Sequence, residues 1–320
     1  MNTSFKNVLI LRTIIALCKY DAKLPNIFYD WGYRQILVEQ PIGLSDRRTV
    51  VPDLIISSRQ QNHCIVWESK SGGSIDNDQA KRLALIEAKD FRDKLSLDIS
   101  LEEDFLYDIS YACEGAECQN IKVDLDRLSK ETAVIGDFPI VGFFDEFGVR
   151  KYCSLFKKKN VDDLLSAGIE VDIRKITPDY YPFDKDSPLY EIAPFVMRGI
   201  VSYAARGEPY FSSEQITRES CGSSWNYVRS NQAKNQMISK VEDILTEAKR
   251  NELKHYLSKH GKGDIRAPKW HVDYSNIRGT AYPAGKLKTL QKKCRQFVNR
   301  LRTEATGVKQ LEFRLFLEED

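Results

Sequence analysis

The chain has 320 residues, 42% of them hydrophobic and 29% charged, with a net charge of +2, a balance typical of a soluble globular protein. Its length predicts two domains, and the absence of any run of about 18 apolar residues excludes a membrane-spanning helix. Lysine and arginine interrupt the first apolar stretch, which argues against a secretory signal, so a cytoplasmic protein is expected.

The front part of the chain, 1–180, predicts an α/β domain. An amphipathic helix is expected over 4–20 and a second helix over 79–95, where apolar residues recur at helical spacing. Apolar runs bounded by turn residues predict strands at 34–43, 50–58, 63–70, 105–112, 138–146 and 168–176. This order of elements predicts a mixed sheet flanked by helices.

The rear part, 189–320, has a helical hydrophobic period and is separated from the front by 177–188, a predicted linker rich in proline and aspartate. The stretch SSEQITRESCGSSWNYVRS predicts a helix-turn-helix. Trp225, Tyr227 and Arg229 would then lie at the start of the second helix, where they could reach a nucleic-acid groove. For Trp225 a core role is an equal alternative. WHVDYSNIRGTAYPAG is a candidate β-wing, so a mainly helical, winged-helix-like domain is expected.

Three ionisable residues interrupt the strands predicted at 50–58 and 63–70. The short loop between them makes the strands antiparallel neighbours, and side-chain alternation puts Glu68 and Lys70 on one face, so that Asp53 can lie opposite them. Two carboxylates so close repel, and their burial is costly unless a cation intervenes. Mg²⁺ would remove that cost, with the backbone carbonyl of Trp67 as a further candidate ligand. Lys70 would then orient or deprotonate a water and offset developing negative charge.

Pro52-Asp53 and Glu68-Ser69-Lys70 on adjacent strands, followed by a helix, resemble the motif of the PD-(D/E)xK nuclease superfamily. The resemblance covers roughly residues 4–112. It implies a restriction-endonuclease-like fold, Mg²⁺ or Mn²⁺ bound by the two acids, and lysine-assisted hydrolysis of a phosphodiester.

Two supporting residues also follow from the resemblance. Members of the superfamily often add an acid from the first helix. Here that helix has none, and Glu39 on the preceding strand is the candidate. Gln79 stands where related nucleases place a glutamine near the metal or the nucleophile.

A structural alternative exists for the same residues. Asp53, Glu68 and Lys70 could form an exposed ion pair at a sheet edge, which would contribute at most about 1 kcal/mol. The SKSGG sequence that ends the strand favours an open, glycine-lined mouth instead. His63, at the start of the same strand, is expected to be a surface residue.

Positive charge is concentrated in the rear part of the chain. Residues 197–320 contain 23 basic and 14 acidic residues, a balance of +9, which leaves 25 basic and 32 acidic residues, or −7, for the remainder. Within it, residues 286–302 hold seven basic residues and no acidic one, while apolar residues at helical spacing pack inward. The seven candidates for phosphate contact are Lys286, Lys288, Lys292, Lys293, Arg295, Arg300 and Arg302. A solvated helix face is the alternative.

These features predict a metal-dependent DNA endonuclease of the kind used in restriction, phage defence or mobile-element processing. A catalytically inactive, nuclease-fold DNA-binding subunit and an RNA-directed nuclease are the open alternatives. DNA is the expected partner and no membrane partner is expected. A homodimer is left open, as is an ATPase or other protein subunit of a larger system, since no Walker-type motif occurs in the chain.

Overall fold

The computed structural model describes residues 7–95, 97, 99, 105–132, 136–145, 148–260, 269–273 and 283–307, and of 92–94, 283–284 and 286 the backbone alone. The chain divides into two compact units. Unit 1 comprises Met1–Tyr181 and Asn226–Ser230, and unit 2 comprises Pro182–Trp225 and Asn231–Asp320. The first boundary falls within the predicted linker, but the return of 226–230 to unit 1 has no counterpart in the prediction.

Unit 1 is built on a mixed six-stranded sheet with the order β1-β4-β5-β6-β7-β8. Its strands, with a separate two-stranded pair β2-β3, are β1 (Tyr33–Val38), β2 (Ile42–Gly43), β3 (Thr49–Val50), β4 (Leu54–Ser58), β5 (His63–Lys70), β6 (Leu106–Glu114), β7 (Ile140–Phe144) and β8 (Gly148–Cys153). The pairs β5-β6 and β6-β7 are parallel, whereas β1-β4, β4-β5 and β7-β8 are antiparallel. The predicted α/β class with a mixed sheet is confirmed.

The helices of unit 1 supply the connections that a mixed sheet needs. They are α1 (Asn7–Leu17), α2 (Ile27–Asp30), α3 (Asn77–Leu83), α4 (Ala88–Lys94), α5 (Cys118–Glu131) and α6 (Lys159–Ala167). Parallel strands require a crossover connection, and α3 with α4 provides it between β5 and β6, as α5 does between β6 and β7. Helix α5 was not predicted, although Ile121, Leu125 and Leu128 recur at helical spacing and are buried.

Several sequence predictions in unit 1 are wrong in detail. The strands expected over 34–43 and 50–58 are each interrupted, at 39–41 and at 51–53. The helix expected over 79–95 is two helices, because the backbone N–H of Glu87 bonds the Asp90 carboxylate and begins a new helix. The strand expected over 168–176 is an isolated bridge from Ile169 to Val149 followed by a 3₁₀ turn. His63 is fully buried, not at the surface, with its ring bonded to the Tyr33 hydroxyl (2.5 Å) and to Asp108 (3.0 Å).

Unit 2 contains a helical region, as predicted. Its elements are α7 (Leu189–Ala205), β9 (Tyr210–Phe211), α8 (Ser213–Cys221), α9 (Asn231–Arg250), β10 (Leu257–Lys259), β11 (Trp270–Val272) and α10 (Pro283–Thr306). Strands β9, β11 and β10 form a small antiparallel sheet. Of the candidate wing, Trp270–Val272 is a strand and 274–282 lie outside the described residues.

The predicted helix-turn-helix differs from the observed chain path. Ser212 caps α8 through the N–H of Gln215, so the first helix begins where the sequence indicates. The second helix begins at Asn231, after a 3₁₀ turn and an extended segment. In that segment Tyr227 and Arg229 flank Val228, which forms a parallel bridge with Val38 at the end of β1. Arg229 therefore belongs to an added strand-like segment, not to the start of a recognition helix.

Helix α10 carries the basic run predicted at 286–302. Leu290, Cys294, Phe297 and Val298 are buried, and the helix packs against α7. Among the described residues, none of the helices combines the length and apolar content that a membrane crossing requires.

The backbone role of Arg229 gives the first prediction. Its N–H donates to the Val38 carbonyl (2.8 Å). Arg229→Pro removes this donor and should lower the free energy of unfolding by about 1–3 kcal/mol, measured by urea denaturation. Arg229→Ala keeps the N–H and should change it by less than about 0.5 kcal/mol. Equal effects of the two substitutions would contradict the pairing.

Candidate active site

The register of β4 and β5 places the two acidic residues opposite each other. Leu54 pairs with Trp67 and Ile55 with Val66. Asp53 is the residue before β4, and continuing this register by one pair sets it opposite Glu68. Directly opposed residues on antiparallel strands share one face of the sheet. This face also carries the buried side chains of Ile55 and Val66. Asp53 and Glu68 therefore lie together at the edge of a hydrophobic core.

Asp53 is held by donors from the neighbouring strand. Its Oδ2 accepts hydrogen bonds from the backbone N–H of Ser69 (2.7 Å) and from the Ser69 hydroxyl (2.8 Å). Ser69 is itself buried. Two donors on one oxygen fix the orientation of the carboxylate, so Ser69 is a site residue that the sequence reasoning did not single out.

Glu68 is almost completely buried, with 4% of its surface exposed. Its Oε1 accepts a hydrogen bond from the Lys70 ammonium (2.9 Å) and its Oε2 one from the Gln79 amide (3.4 Å). Burial, together with the nearby Asp53 carboxylate, raises the pKa of Glu68 to about 7. Lys70 and Gln79 oppose this rise but do not cancel it.

Lys70 is the cation of the site and remains charged. Burial alone would lower the pKa of its ammonium, but the Glu68 carboxylate and, to a smaller extent, Asp53 more than offset that effect, and the pKa is raised. The side chain is 19% exposed, against 5% for Glu68. Lys70 is therefore the more accessible member of the pair.

Gln79 is positioned by the start of α3. The Asp76 side chain accepts the backbone N–H of Gln79 (2.9 Å) and caps the helix. The Gln79 amide then donates to the Val51 carbonyl (2.9 Å) as well as to Glu68. Gln79 thus connects the chain just before Asp53 with the Glu68 carboxylate.

A glycine-containing loop joins β5 to α3 beside these residues. Gly72 is exposed, and a Cβ there would meet no atom within 4 Å. A Cβ at Gly73 would instead overlap the side chains of Glu117 and Asn120. The loop is thus open at Gly72 and tightly packed at Gly73.

The other two residues of unit 1 that were predicted for the active site are Glu39 and Trp67. Glu39 is nearly buried, at 9% exposure, with a left-handed backbone (φ 48°), and its N–H donates to the Asp53 carbonyl (3.0 Å). This fixes Glu39 beside the main chain of Asp53. Trp67 pairs with Leu54 on one side and Ser110 on the other, so its carbonyl lies within the ladders of the sheet. Metal ligation by Trp67 and a catalytic role for Glu39 stay predictions.

The donor set of the acidic pair decides which metal ions it could hold. Among the described residues, no group of three or more histidine, cysteine, aspartate or glutamate side chains is arranged to hold a metal ion. Mg²⁺ needs only one or two carboxylates, with waters and phosphate oxygens completing the shell. A partly protonated Glu68 beside Asp53 also fits a site that a cation would stabilise. The two carboxylates therefore fit Mg²⁺ or Mn²⁺, but not a closed structural site with four protein ligands.

The predicted nucleic-acid contacts fall into two groups. In unit 1, Tyr227 lies under the Lys19 ammonium (4.7 Å from the ring centroid). In unit 2, Trp225 is 7% exposed, and the Lys234 ammonium lies 5.3 Å from its ring centroid. Nucleic-acid contact by Trp225 stays a prediction. Arg300 is bound to three carboxylates, those of Glu247, Glu252 and Glu304.

The remaining basic residues lie along α10. Lys288, Lys292 and Arg295 are exposed, and Lys293 and Arg302 are half-buried. The Lys286 side chain lies outside the described residues. The exposed lysines make this helix the strongest candidate for phosphate contact in unit 2.

Comparison with known proteins gives a match to a family model. The model of the MJECL32 domain, a family of unknown function, matches residues 6–135, less than half of the chain. This range contains Glu39, Asp53, Glu68, Lys70 and Gln79. No curated protein and no solved structure matches the chain.

The raised pKa of Glu68 predicts an unusual pH dependence of stability. A carboxyl whose pKa rises on folding from 4.5 to about 7 stabilises the protein fully below pH 4.5 and loses that contribution as the pH rises through 7. In Glu68→Gln the side chain does not ionise, so the free energy of unfolding does not lose this contribution as the pH rises. Relative to the wild type, its free energy of unfolding in chelator should rise by about 3 kcal/mol between pH 4.5 and pH 8.

Urea denaturation at a series of pH values measures this difference. Glu131→Gln, at the exposed end of α5, is the matched control and should follow the wild type at every pH. Parallel curves for Glu68→Gln and the wild type would contradict the burial of an ionisable pair at this site.

Proposed function

We propose that the chain is a Mg²⁺-dependent nuclease, an endonuclease that hydrolyses phosphodiester bonds in DNA, with Mn²⁺ as an alternative ion. One observation carries the proposal: Asp53, just before β4, and Glu68, on β5, are close enough to interact electrostatically, with the Lys70 ammonium 2.9 Å from Glu68. Roles in restriction, phage defence or mobile-element processing belong to the same proposal and rest on analogy.

The electrostatics of the site support a divalent cation. Two carboxylates side by side repel, and Glu68 is buried where ionisation is costly. Asp53 and Glu68 are the side chains that would hold the ion. When bound, it would polarise the phosphate and lower the pKa of a coordinated water.

The protein side chains have separate tasks in this proposal. Ser69 orients Asp53, and Gln79 orients Glu68. Because its pKa is raised, the Lys70 amine stays protonated and cannot act as a general base, and its role is to neutralise negative charge on the scissile phosphate. Of the roles that the sequence left open for Lys70, deprotonation of the water is therefore set aside and the neutralisation of charge is kept.

Nucleic-acid binding is assigned to the basic surface of α10. Phosphate contacts by lysine and arginine release counterions and give affinity without reading sequence. Lys288 and Lys292 are exposed on this helix, whereas Arg300 is engaged in its carboxylate network. Arg300 is therefore assigned to stabilising unit 2.

A non-catalytic nucleic-acid-binding subunit is the second candidate. It is favoured by the small number of acids, since no group of three candidate ligands occurs in the described part of the chain. In that case the Lys70–Glu68 pair would be a stabilising contact only. An RNA substrate is the remaining alternative, and cleavage assays distinguish it.

The test of catalysis is cleavage of supercoiled plasmid with Mg²⁺, Mn²⁺ or chelator. Asp53→Asn and Glu68→Gln should each lower the cleavage rate at least about a hundredfold, because each removes charge that would stabilise the transition state. Asp78→Asn, at an exposed acid in the first turn of α3, should cleave at the wild-type rate.

Two results would count against the proposal. Equal rates for the wild type and Asp53→Asn would favour the non-catalytic subunit. Parallel assays on single- and double-stranded RNA and DNA define the substrate, and a clear preference for RNA would reject DNA.

The assignment of α10 is tested by binding to a short DNA duplex at several salt concentrations. The combined substitution Lys288→Gln, Lys292→Gln and Lys293→Gln should weaken binding. It should also reduce the slope of log K against log salt by roughly 0.9 for each phosphate that the protein no longer neutralises. Arg300→Gln should leave the slope unchanged and lower the unfolding temperature, because Glu247 and Glu252 lose their partner. An unchanged slope for the triple lysine variant together with a reduced slope for Arg300→Gln would exclude phosphate contact by the exposed lysines of α10.

A further inference from the structure

Tyr111 lies next to the proposed metal site but was not identified from the sequence. It belongs to β6, and the parallel register pairs it with Glu68 of β5. The next pair in this register is Ser69 with Ala112. Paired residues on adjacent strands share a face, so Tyr111 is on the face that carries Glu68, Asp53 and the hydrophobic core. Its side chain is fully buried.

The Tyr111 hydroxyl has no hydrogen-bond partner in the protein. Its ring is held against Phe138, with the centroids 6.0 Å apart. Burial, followed by the charges of Glu68, Asp76 and Asp53, raises the pKa of Tyr111, so the hydroxyl stays protonated and can act as a donor. A buried donor without an acceptor lowers stability, and such groups in native proteins call for a functional explanation.

The other fully buried tyrosine of the same sheet makes the contrast clear. Tyr33, on β1, has its hydroxyl 2.5 Å from Nδ1 of His63. The protein thus satisfies one buried phenol and leaves the other, beside the acidic pair, unsatisfied. The Tyr111 hydroxyl is therefore a donor without an acceptor, next to the carboxylates of Asp53 and Glu68.

We infer that Tyr111 is a positioning residue of the metal site, whose hydroxyl donates a hydrogen bond to the Glu68 carboxylate when the ion is bound. The inference rests on the proposed function. If Lys70 turns from Glu68 to a bound phosphate, Glu68 Oε1 loses the Lys70 donor while Oε2 keeps Gln79. Tyr111, paired with Glu68 in the sheet, is then a neutral donor that can replace Lys70. Hydrogen bonds to ligating carboxylates are part of most metal sites, and their loss typically weakens metal affinity about 10–100-fold.

The test measures Mn²⁺ and Ca²⁺ binding to the full chain by isothermal titration calorimetry, together with thermal unfolding in chelator. Tyr111→Phe removes only the hydroxyl. We expect its dissociation constant for Mn²⁺ to rise about 10–100-fold. Its unfolding temperature in chelator should equal or exceed that of the wild type, because an unpaired buried donor is removed.

Tyr33→Phe is the matched control, since it removes a hydroxyl that is bonded. It should lower the unfolding temperature and leave Mn²⁺ affinity unchanged. A merely structural role for Tyr111 would give the same pattern as Tyr33→Phe.

The outcomes separate this inference from the proposed function. If the wild type binds Mn²⁺ and Tyr111→Phe binds it equally well, the inference is overturned and the nuclease proposal stands. A lower unfolding temperature for Tyr111→Phe in chelator also overturns it, since the hydroxyl would then have a partner in the free protein. If the wild type binds neither ion, the metal-dependent function fails, and the role of Tyr111 fails with it.

Discussion

The candidate site depends on one interaction, the placement of two carboxylates, one just before β4 and one on β5, next to a hydrophobic core. Asp53 and Glu68 would repel each other there, and Glu68 has little access to water. Within the protein, the positive charge of Lys70 stabilises Glu68, and Ser69 stabilises Asp53 with two hydrogen bonds. These contacts do not cancel the effect of burial, and the pKa of Glu68 stays raised.

The mixed sheet is what brings these groups together. The antiparallel pair β4-β5 sets Asp53 opposite Glu68, and the parallel pair β5-β6 adds Tyr111 from a strand more than forty residues later. The connection between β5 and β6 then returns α3 to the same face, where Gln79 reaches Glu68. A single face therefore collects two acids, a cation, an amide and a phenol from three strands and one helix.

The part of the site that the sequence predicts is the part set by local register. A four-residue loop and side-chain alternation are enough to place Asp53, Glu68 and Lys70 on one face, and helix capping by Asp76 places Gln79 near them. Tyr111 could not be placed in the same way, because the register of parallel strands depends on a long connection and not on a local turn. Arg229 was misplaced for a related reason, since its pairing with Val38 spans almost two hundred residues.

By itself, the sequence determined the α/β class of the front part, the two apolar strands that carry the acidic motif, and the concentration of positive charge in the rear part. Hydrophobic periodicity, turn residues and composition are local properties, and they suffice for these features. Only the tertiary structure decided which distant groups complete the site, which basic residues are engaged by carboxylates, and that a segment after Trp225 joins the first unit. Those outcomes depend on packing and strand pairing between residues far apart in the chain, which no local pattern records.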